Sequence, residues 1–214
     1  MKTAIFDLDG TLANTLYDLA DATNYGLAKM GYPIHDYDRY RYFVGNGVQK
    51  LCFRALPEDK KDETEKLHGY FDEYYSAHYL DKTVIYSGIS ELVGRLCENG
   101  VRLSIATNKP QVFAVPIAET LFPGIGFAKV LGGCDERAKK PDPAIINEIL
   151  NAVGRDGNTV YMIGDSDVDI NTARNAGVIS IGCTWGFRGR EELVEAGADY
   201  IAETAEEVGR IILD

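Results

Sequence analysis

The feature that most limits the fold of this chain is a regular alternation of short apolar runs with amphipathic helical patterns. The runs are rich in Ile, Val and Leu, and they predict strands at residues 3–6, 102–106, 128–131, 159–163, 178–181 and 199–202. Helices are predicted near residues 89–99, 111–121, 142–153, 168–176, 189–196 and 204–213. Strands separated by single helices imply right-handed crossovers, so we predict an α/β fold with a parallel sheet covered on both faces.

Residues 14–82 interrupt this alternation. They contain no β-branched strand run but hold 10 of the 13 tyrosines and all three histidines. Near their end, apolar and aromatic residues recur at helical spacing, which indicates core packing rather than a cofactor site; they are Leu67, Tyr70, Phe71, Tyr74, Tyr75 and His78. We therefore predict two domains, a core of residues 1–13 and 83–214 and an inserted helical domain of residues 14–82.

The net charge of −11 argues against binding to nucleic acids or anionic membranes, because such proteins usually present a basic face. The N-terminal apolar segment meets Asp7 before a signal sequence can develop, and no stretch approaches the length of a membrane span. The four cysteines match neither a zinc motif nor a dense disulfide framework. We expect a cytoplasmic protein with reduced thiols.

Polar signatures follow three of the predicted strands. They are the segments Asp7 to Thr11, Thr107 to Lys109 and Gly164 to Asp169. In an open parallel sheet, ligands bind in the crevice beyond the carboxyl ends of the strands. The three segments are therefore expected to form one site.

Four carboxylates would meet at that site, those of Asp7, Asp9, Asp165 and Asp169. Two like charges about 4 Å apart repel by roughly 4 kcal/mol at an effective dielectric constant near 20, so the group needs a proton or a cation. Oxygen ligands on rigid strand ends suit Mg²⁺. The predicted core contains no histidine, which disfavours both a softer metal and a Ser–His or Cys–His nucleophile.

Phosphate chemistry fits these groups. One carboxylate can attack phosphorus, and a second, two residues further on, can transfer protons, since Gly10 frees the backbone to turn between them. Thr107, Asn108 and a lysine can supply donors and positive charge to the phosphoryl oxygens. Two lysines, Lys109 and Lys140, qualify on residue type and position.

Four motifs in chain order carry a family resemblance: Asp7 to Thr11, Thr107 to Lys109, Lys140 to Pro143 and Gly164 to Asp169. Together they resemble the four motifs of the haloacid dehalogenase superfamily of phosphatases, and the match spans nearly the whole chain. The resemblance implies a Rossmann-like parallel-sheet core. It also implies an all-helical cap domain inserted between the first and second motifs.

The resemblance implies a role for each matching residue. Asp7 would be the nucleophile and Asp9 the general acid and base. Thr107 would donate to a phosphoryl oxygen, and Lys140, which directly precedes Pro141, matches the family lysine better than Lys139 does.

The Mg²⁺ site implied by the resemblance consists of the carboxylates of Asp7 and Asp165 and the backbone carbonyl of Asp9. Asp169 would steady these ligands. Three further residues would surround the phosphate or the ligands, namely Gly10, Thr11 and Asn108.

Within the superfamily, segments 11–15, 44–48 and 184–187 are most similar to the phosphoglycolate phosphatase group. The implied partner is a small phosphorylated metabolite. Nucleotide and pyrophosphate phosphatases and sugar-phosphate mutases share much of the pattern and remain alternatives. Outside the class, a phospho-acceptor signalling module is also an alternative. The sequence leaves monomer and homodimer open.

The predicted helical domain contains candidates for substrate specificity. Gly45, Asn46 and Gly47 form a glycine-rich loop that follows no strand, so we interpret it as a hinge or a substrate loop rather than a dinucleotide site. Lys50 and Arg54 follow that loop, one helical turn apart from each other, and could bind a substrate carboxylate. Ordinary surface charge is the alternative interpretation of both.

Overall fold

A six-stranded parallel sheet forms the centre of the molecule, which is described here from a computed structural model covering residues 1–154 and 157–214. Its strands are β1 Lys2–Phe6, β4 Arg102–Pro110, β5 Lys129–Gly133, β6 Thr159–Gly164, β7 Ile179–Cys183 and β8 Tyr200–Ala202. Their order across the sheet is β5-β4-β1-β6-β7-β8. The first strand is central, with β4 on one side and β6 on the other, so the α/β parallel-sheet prediction is confirmed.

Helices cover both faces of the sheet. They are α5 Ile89–Glu98, α6 Gln111–Leu121, α7 Ala144–Val153, α8 Asp167–Ala176, α9 Arg190–Glu195 and α10 Ala205–Leu213. Successive strand residues point to opposite faces, and the two faces pack differently. Ala4 and Phe6 belong to a cluster with α5, α6 and α10, whereas Ile5 lies in a second cluster with α7 and α8.

A separate helical unit stands between β1 and β4 in the chain. It consists of α1 Leu16–Lys29, α2 Tyr37–Phe43, α3 Val48–Ala55, a 3₁₀ helix over Glu58–Glu63 and α4 Thr64–His78. Its helices enclose a third apolar cluster, in which Leu67, Phe71 and Tyr75 of α4 are buried. The helical cap is thus present, and the predicted aromatic stripe contributes three residues to its core.

The two chain segments that join the helical unit to the sheet pair with each other. β2 (Ala13–Asn14) and β3 (Val84–Ile85) form a short antiparallel ladder. The predicted division before residue 14 and after residue 82 falls beside this ladder and stays a prediction. Among the described residues, no helix is both long and apolar enough to cross a bilayer.

All four cysteines are free thiols. Cys52 and Cys183 are buried, and burial raises the pKa of both. Cys97 is exposed and Cys134 is half-buried.

Candidate active site

The three polar segments meet at one edge of the sheet because β1 lies between β4 and β6 and all three strands run in the same direction. Asp7 follows the last residue of β1, and Asp165 follows the last residue of β6. Thr107, Asn108 and Lys109 lie within β4, which runs further than predicted and ends at Pro110. The site is therefore built on neighbouring strands, which hold its backbone in place.

Three carboxylates form a buried cluster beyond the strand ends. Asp7, Asp165 and Asp169 each offer an oxygen, and these three atoms lie within 4.8 Å of one another. Burial, together with the other acids, raises the pKa of Asp7 to about 7, against the lowering effect of Lys140. Burial and the charges of Asp169 and Asp7 also raise the pKa of Asp165 well above its usual value.

Lys140 is the cation of this cluster. Its Nζ lies 2.6 Å from Asp169 Oδ1 and 3.0 Å from Asp7 Oδ1, and its side chain is almost fully buried. Its neighbour Lys139 is exposed, beside Gly47 of the helical unit. Packing thus separates two lysines that residue type alone leaves equivalent, and it places Lys140 at the carboxylates.

Two acids of the cluster are fixed by neutral donors. The Phe187 N–H donates to Asp165 Oδ2 at 2.7 Å. The backbone N–H and the hydroxyl of Ser166 donate to Asp169 Oδ2, at 3.2 Å and 2.7 Å. Gly10 adopts φ +87°, and a Cβ there would lie 2.4 Å from Asp165 Oδ2, so a side chain at this position would displace the carboxylate.

The side chain of Asp9 lies outside the cluster. Thr15 donates its hydroxyl to Asp9 Oδ1 at 2.8 Å, and Lys109 Nζ lies 3.1 Å and 3.3 Å from the two carboxylate oxygens. Although burial opposes the change, the charge of Asp9 raises the pKa of Lys109, which keeps the ammonium protonated. Asp7 and Asp9 are thus two residues apart in sequence but have separate cationic partners.

Asn108 joins the sheet to the helical unit. Its amide Nδ2 donates to the carbonyls of Gly45 and Lys140, each at 3.1 Å, and its Oδ1 accepts the Lys140 N–H at 2.9 Å. Thr107 Oγ1 accepts the Lys109 N–H at 3.2 Å, and Thr11 Oγ1 donates to Asp165 Oδ1 at 3.4 Å. Asn108 therefore holds the backbone of Lys140 in addition to contacting the Gly45 loop.

A cleft between the helical unit and the strand ends opens onto Asp7 and Asp9. The space in it that the centre of a water-sized molecule can reach is about 30 Å³. The described residues lining it are Asp7, Asp9, Leu19, Val44, Gly45, Gly47, Val48, Leu51, Tyr75, Thr107, Asn108, Lys109 and Pro110. The glycine-rich loop thus contributes Gly45 and Gly47, while Asn46 lies outside the lining.

The two cations that the sequence offered for substrate recognition lie away from this cleft. Lys50 is exposed, with its Nζ 5.7 Å from the centre of the Phe53 ring. Arg54 donates to the Phe43 carbonyl at 3.0 Å. Neither residue lines the cleft, whereas Val48 and Leu51 of the same helix do. Sequence reasoning did not single out Tyr75 as a lining residue, since its helical spacing indicated only an inward-facing aromatic side chain.

Comparison with known proteins gives a consistent picture. Residues 4–183 match the family model described as haloacid dehalogenase-like hydrolase. A phosphoglycolate phosphatase from Vibrio parahaemolyticus is 32% identical over 219 residues, which cover 99% of this chain and 96% of the relative.

Solved structures agree with the sequence comparison. One is the crystal structure of a protein from Lactobacillus delbrueckii subsp. bulgaricus that is itself predicted to be a phosphoglycolate phosphatase. Its sequence is 32% identical to this chain, and the two folds superpose with a TM-score of 0.93. The alignment covers 99% of this chain and 98% of that one. A predicted phosphoglycolate phosphatase from Haemophilus somnus is 28% identical with a TM-score of 0.86, covering 99% and 97%.

Proposed function

Because this chain belongs to the haloacid dehalogenase-like hydrolase family, we propose that it is a Mg²⁺-dependent phosphatase of small phosphate monoesters that works through an aspartyl-phosphate at Asp7. One observation carries the proposal. A buried cluster of three carboxylates shares a single lysine, while a fourth carboxylate, Asp9, stands apart beside the same cleft.

The cluster fits a divalent cation. Its donors are carboxylate oxygens, which Mg²⁺ prefers, and one positive charge on Lys140 faces three acids. The buried Asp7 Oδ1 contacts the Lys140 ammonium at 3.0 Å and has no further hydrogen-bond donor among the described residues. Burial, and after it the charges of the neighbouring acids, raises the pKa values of both Asp7 and Asp165, and a bound cation would offset this penalty on the charged carboxylates.

We assign the Mg²⁺ ligands to the carboxylates of Asp7 and Asp165 and to the backbone carbonyl of Asp9. Both oxygens of Asp169 are already engaged, one by Lys140 and one by Ser166, so Asp169 acts by positioning Lys140. When bound, the metal would offset the charge of the incoming phosphate and polarise it for attack.

Two carboxylates then carry the reaction. An oxygen of Asp7 forms a bond to phosphorus as the bond from phosphorus to the ester oxygen breaks, and Asp9 gives its proton to the departing alkoxide. In the second half, Asp9 takes a proton from water, the water oxygen bonds to phosphorus, and the Asp7–phosphorus bond breaks. Thr15 and Lys109 hold Asp9 at the cleft, where the leaving oxygen must lie.

The phosphoryl oxygens require donors, since charge spreads over them during transfer. Lys140 supplies a buried positive charge 3.0 Å from the nucleophilic carboxylate, and Thr107 supplies a hydroxyl on the adjacent strand. The cap excludes bulk water from these groups, which strengthens every electrostatic interaction within the site. Access would then depend on movement of the cap.

The names of the relatives favour phosphoglycolate as the substrate. We also propose that the enzyme acts in the cytoplasm. The cap lines the cleft mainly with the apolar side chains of Leu19, Val44, Val48 and Leu51. These apolar walls favour a small leaving group. A sugar-phosphate mutase on the same fold would convert its substrate without releasing phosphate, which separates it from the proposed phosphatase.

A phosphate-release assay tests the proposal. The purified protein is offered 2-phosphoglycolate, nucleoside monophosphates, pyrophosphate and sugar phosphates, with Mg²⁺ or with a chelator. We expect Mg²⁺-dependent release from 2-phosphoglycolate, and inhibition by Ca²⁺, whose preference for six to eight ligands would disturb the position of Asp7. Full activity after exhaustive chelation, or conversion of a sugar phosphate without free phosphate, would contradict it.

A further inference from the structure

The wall of the cleft beside Asp9 contains a buried hydroxyl, that of Tyr75, which faces the Lys109 ammonium. Tyr75 is 1% exposed, and its O–H has no acceptor within hydrogen-bond distance among the described residues. The ring itself is well held, with the Phe71 and Phe113 rings each 4.9 Å away between centroids. Because an ammonium can only donate, the Tyr75 O–H remains free to donate to a ligand in the cleft.

A lysine ammonium lies next to this hydroxyl. Lys109 Nζ is 5.0 Å from the centre of the Tyr75 ring, and Lys109 is the only cation among the described residues that line the cleft. It already contacts both oxygens of Asp9. An ammonium carries three N–H donors, so a second anion can bind beside Asp9 without displacing it.

We propose that Tyr75 and Lys109 form a subsite for a carboxylate on the leaving group of the substrate. The proposal rests on the proposed function, since it takes Asp9 as the group that protonates the leaving oxygen. One carboxylate oxygen would accept from Lys109 and the other from the Tyr75 hydroxyl. The substrates are therefore phosphate esters of short hydroxy acids.

The position of Lys109 limits the length of these substrates. Its Nζ lies 3.1 Å and 3.3 Å from the two carboxylate oxygens of Asp9, the residue that protonates the leaving oxygen in the proposed reaction. A carboxylate held by Lys109 must therefore lie close to the ester oxygen, as it does when a single carbon separates the two groups. A long or flexible linker would place the carboxylate beyond both donors.

The remaining walls disfavour polar alternatives. Leu19, Val44, Val48 and Leu51 offer no side-chain hydrogen-bond donors or acceptors. A sugar or nucleoside leaving group would leave hydroxyls unpaired against these side chains, which is costly in a closed cleft. Tyr75, which belongs to the cap, is 1% exposed and Lys109 is 4% exposed, so the substrate would enter while the cap is open.

The first test needs no variant. Ethyl phosphate and 2-phosphoglycolate have two carbons each and differ in the carboxylate. We expect the wild-type protein to give a kcat/KM at least about 10-fold higher for 2-phosphoglycolate, the size of effect that a hydrogen-bonded charge produces. Equal values for the two esters would overturn the inference while leaving the phosphatase intact. Hydrolysis of neither ester would instead count against the proposed function.

The second test assigns the subsite. Y75F removes one hydroxyl and keeps the ring, and it should lower kcat/KM for 2-phosphoglycolate about 10-fold, mainly through KM, while lowering the value for ethyl phosphate much less. The matched control is Y79F, because Tyr79 packs 6.1 Å from Tyr75 but does not line the cleft. Equal effects of Y75F on the two esters would overturn the assignment of Tyr75.

Lys109 is tested by the ratio of kcat/KM for 2-phosphoglycolate to kcat/KM for ethyl phosphate. K109Q should lower activity on both esters, because Lys109 also holds Asp9, but the loss should be greater for 2-phosphoglycolate. A ratio of the two kcat/KM values equal to that of the wild type would show that Lys109 does not bind the carboxylate. The ratio is independent of the fraction of folded enzyme, so partial misfolding does not affect it.

Discussion

Asp7 and Asp9 show how two identical side chains acquire different surroundings. Asp7 faces Lys140 and two other acids, whereas Asp9 faces Lys109 and the Thr15 hydroxyl. Gly10 allows the chain to turn sharply after them, with φ +87°. The two carboxylates can therefore attack phosphorus and transfer a proton without competing for one position.

Asparagine substitutions should separate these two roles. D7N removes the attacking charge and should abolish turnover. D9N keeps the nucleophile and should slow turnover by about 10²–10⁴-fold, the usual contribution of a positioned proton donor. Mass spectrometry of the D9N protein after incubation with an activated aryl phosphate should find phosphate on Asp7, since a good leaving group needs no proton.

D167N is the matched control for these variants. Asp167 lies in the same acidic segment as Asp165 and Asp169, but it is exposed at the start of α8. Its substitution should leave turnover within about 2-fold, as surface substitutions usually have small effects. Phosphate on Thr107 or Ser166 rather than on Asp7 would contradict the assignment of the nucleophile.

The junction between the cap and the sheet depends on one buried carboxylate of α1. Asp18 is 3% exposed and accepts the backbone N–H groups of Lys82 and Thr83, at 2.9 Å and 2.8 Å, and the Thr83 hydroxyl at 2.7 Å. Helix α1 is thereby attached to the chain segment that leaves the cap. Asp21, one turn later, pairs with the Lys82 side chain at 2.6 Å and is partly exposed.

This pair allows a controlled measurement of stability. D18A leaves several buried donors unpaired and should lower the free energy of unfolding by about 3 kcal/mol. D21A removes an exposed ion pair with the same Lys82 and should cost less than about 1 kcal/mol. Urea denaturation of the two variants gives the comparison, and equal losses would show that Asp18 does not fasten the junction.

The positions of the inner strands were predictable because β1, β4, β6 and β7 are buried on both faces and therefore read as continuous apolar runs. The predicted strand at residues 3–6 and the observed β1 at Lys2–Phe6 differ by one residue. β4 was predicted to end near residue 106 but reaches Pro110, which pairs with Gly133 after a register shift. A Cβ at Gly132 would lie 2.7 Å from the Lys109 carbonyl, so this close approach depends on glycines in a neighbouring strand.

The meeting of Asp7, Asp165 and Asp169 was predictable for a related reason, since parallel strands bring their carboxyl ends to one edge. The position of Tyr75 in the wall of the cleft was not predictable. Its place in a helical stripe indicates that it faces inward, but the spacing does not show that the cap interior adjoins the cleft. That fact depends on how the cap packs on the sheet, which involves residues far apart in the chain.

The assembly of sheet and cap places the charged cluster deep inside an acidic protein. The chain carries a net charge of −11, and three of its acids are buried together at the boundary between the two layers. The folded state therefore contains electrostatic strain, which protons or a divalent cation can relieve. The stability of the protein should depend on both.

The sign of the pH dependence follows from the direction of the pKa shift. Burial raises the pKa of Asp7 from 3.8 to about 7, so the folded protein holds a proton that the unfolded chain releases in this range. The contribution of this proton to stability is fully present below pH 3.8 and is lost as the pH rises through about 7. Asp165 shifts in the same direction, so the metal-free protein should be less stable at pH 8 than at pH 5.

Mg²⁺ should reverse this trend, because it binds the carboxylates that the protons leave. At 100 times its Kd the metal adds about 2.7 kcal/mol, which in a chain of this size raises Tm by roughly 5–10 °C. Thermal melts with and without Mg²⁺ should show this rise at pH 8 and little at pH 5. D7N should largely abolish the rise, and D167N should keep it. A rise of equal size at both pH values, or one that survives D7N, would show that the metal binds elsewhere.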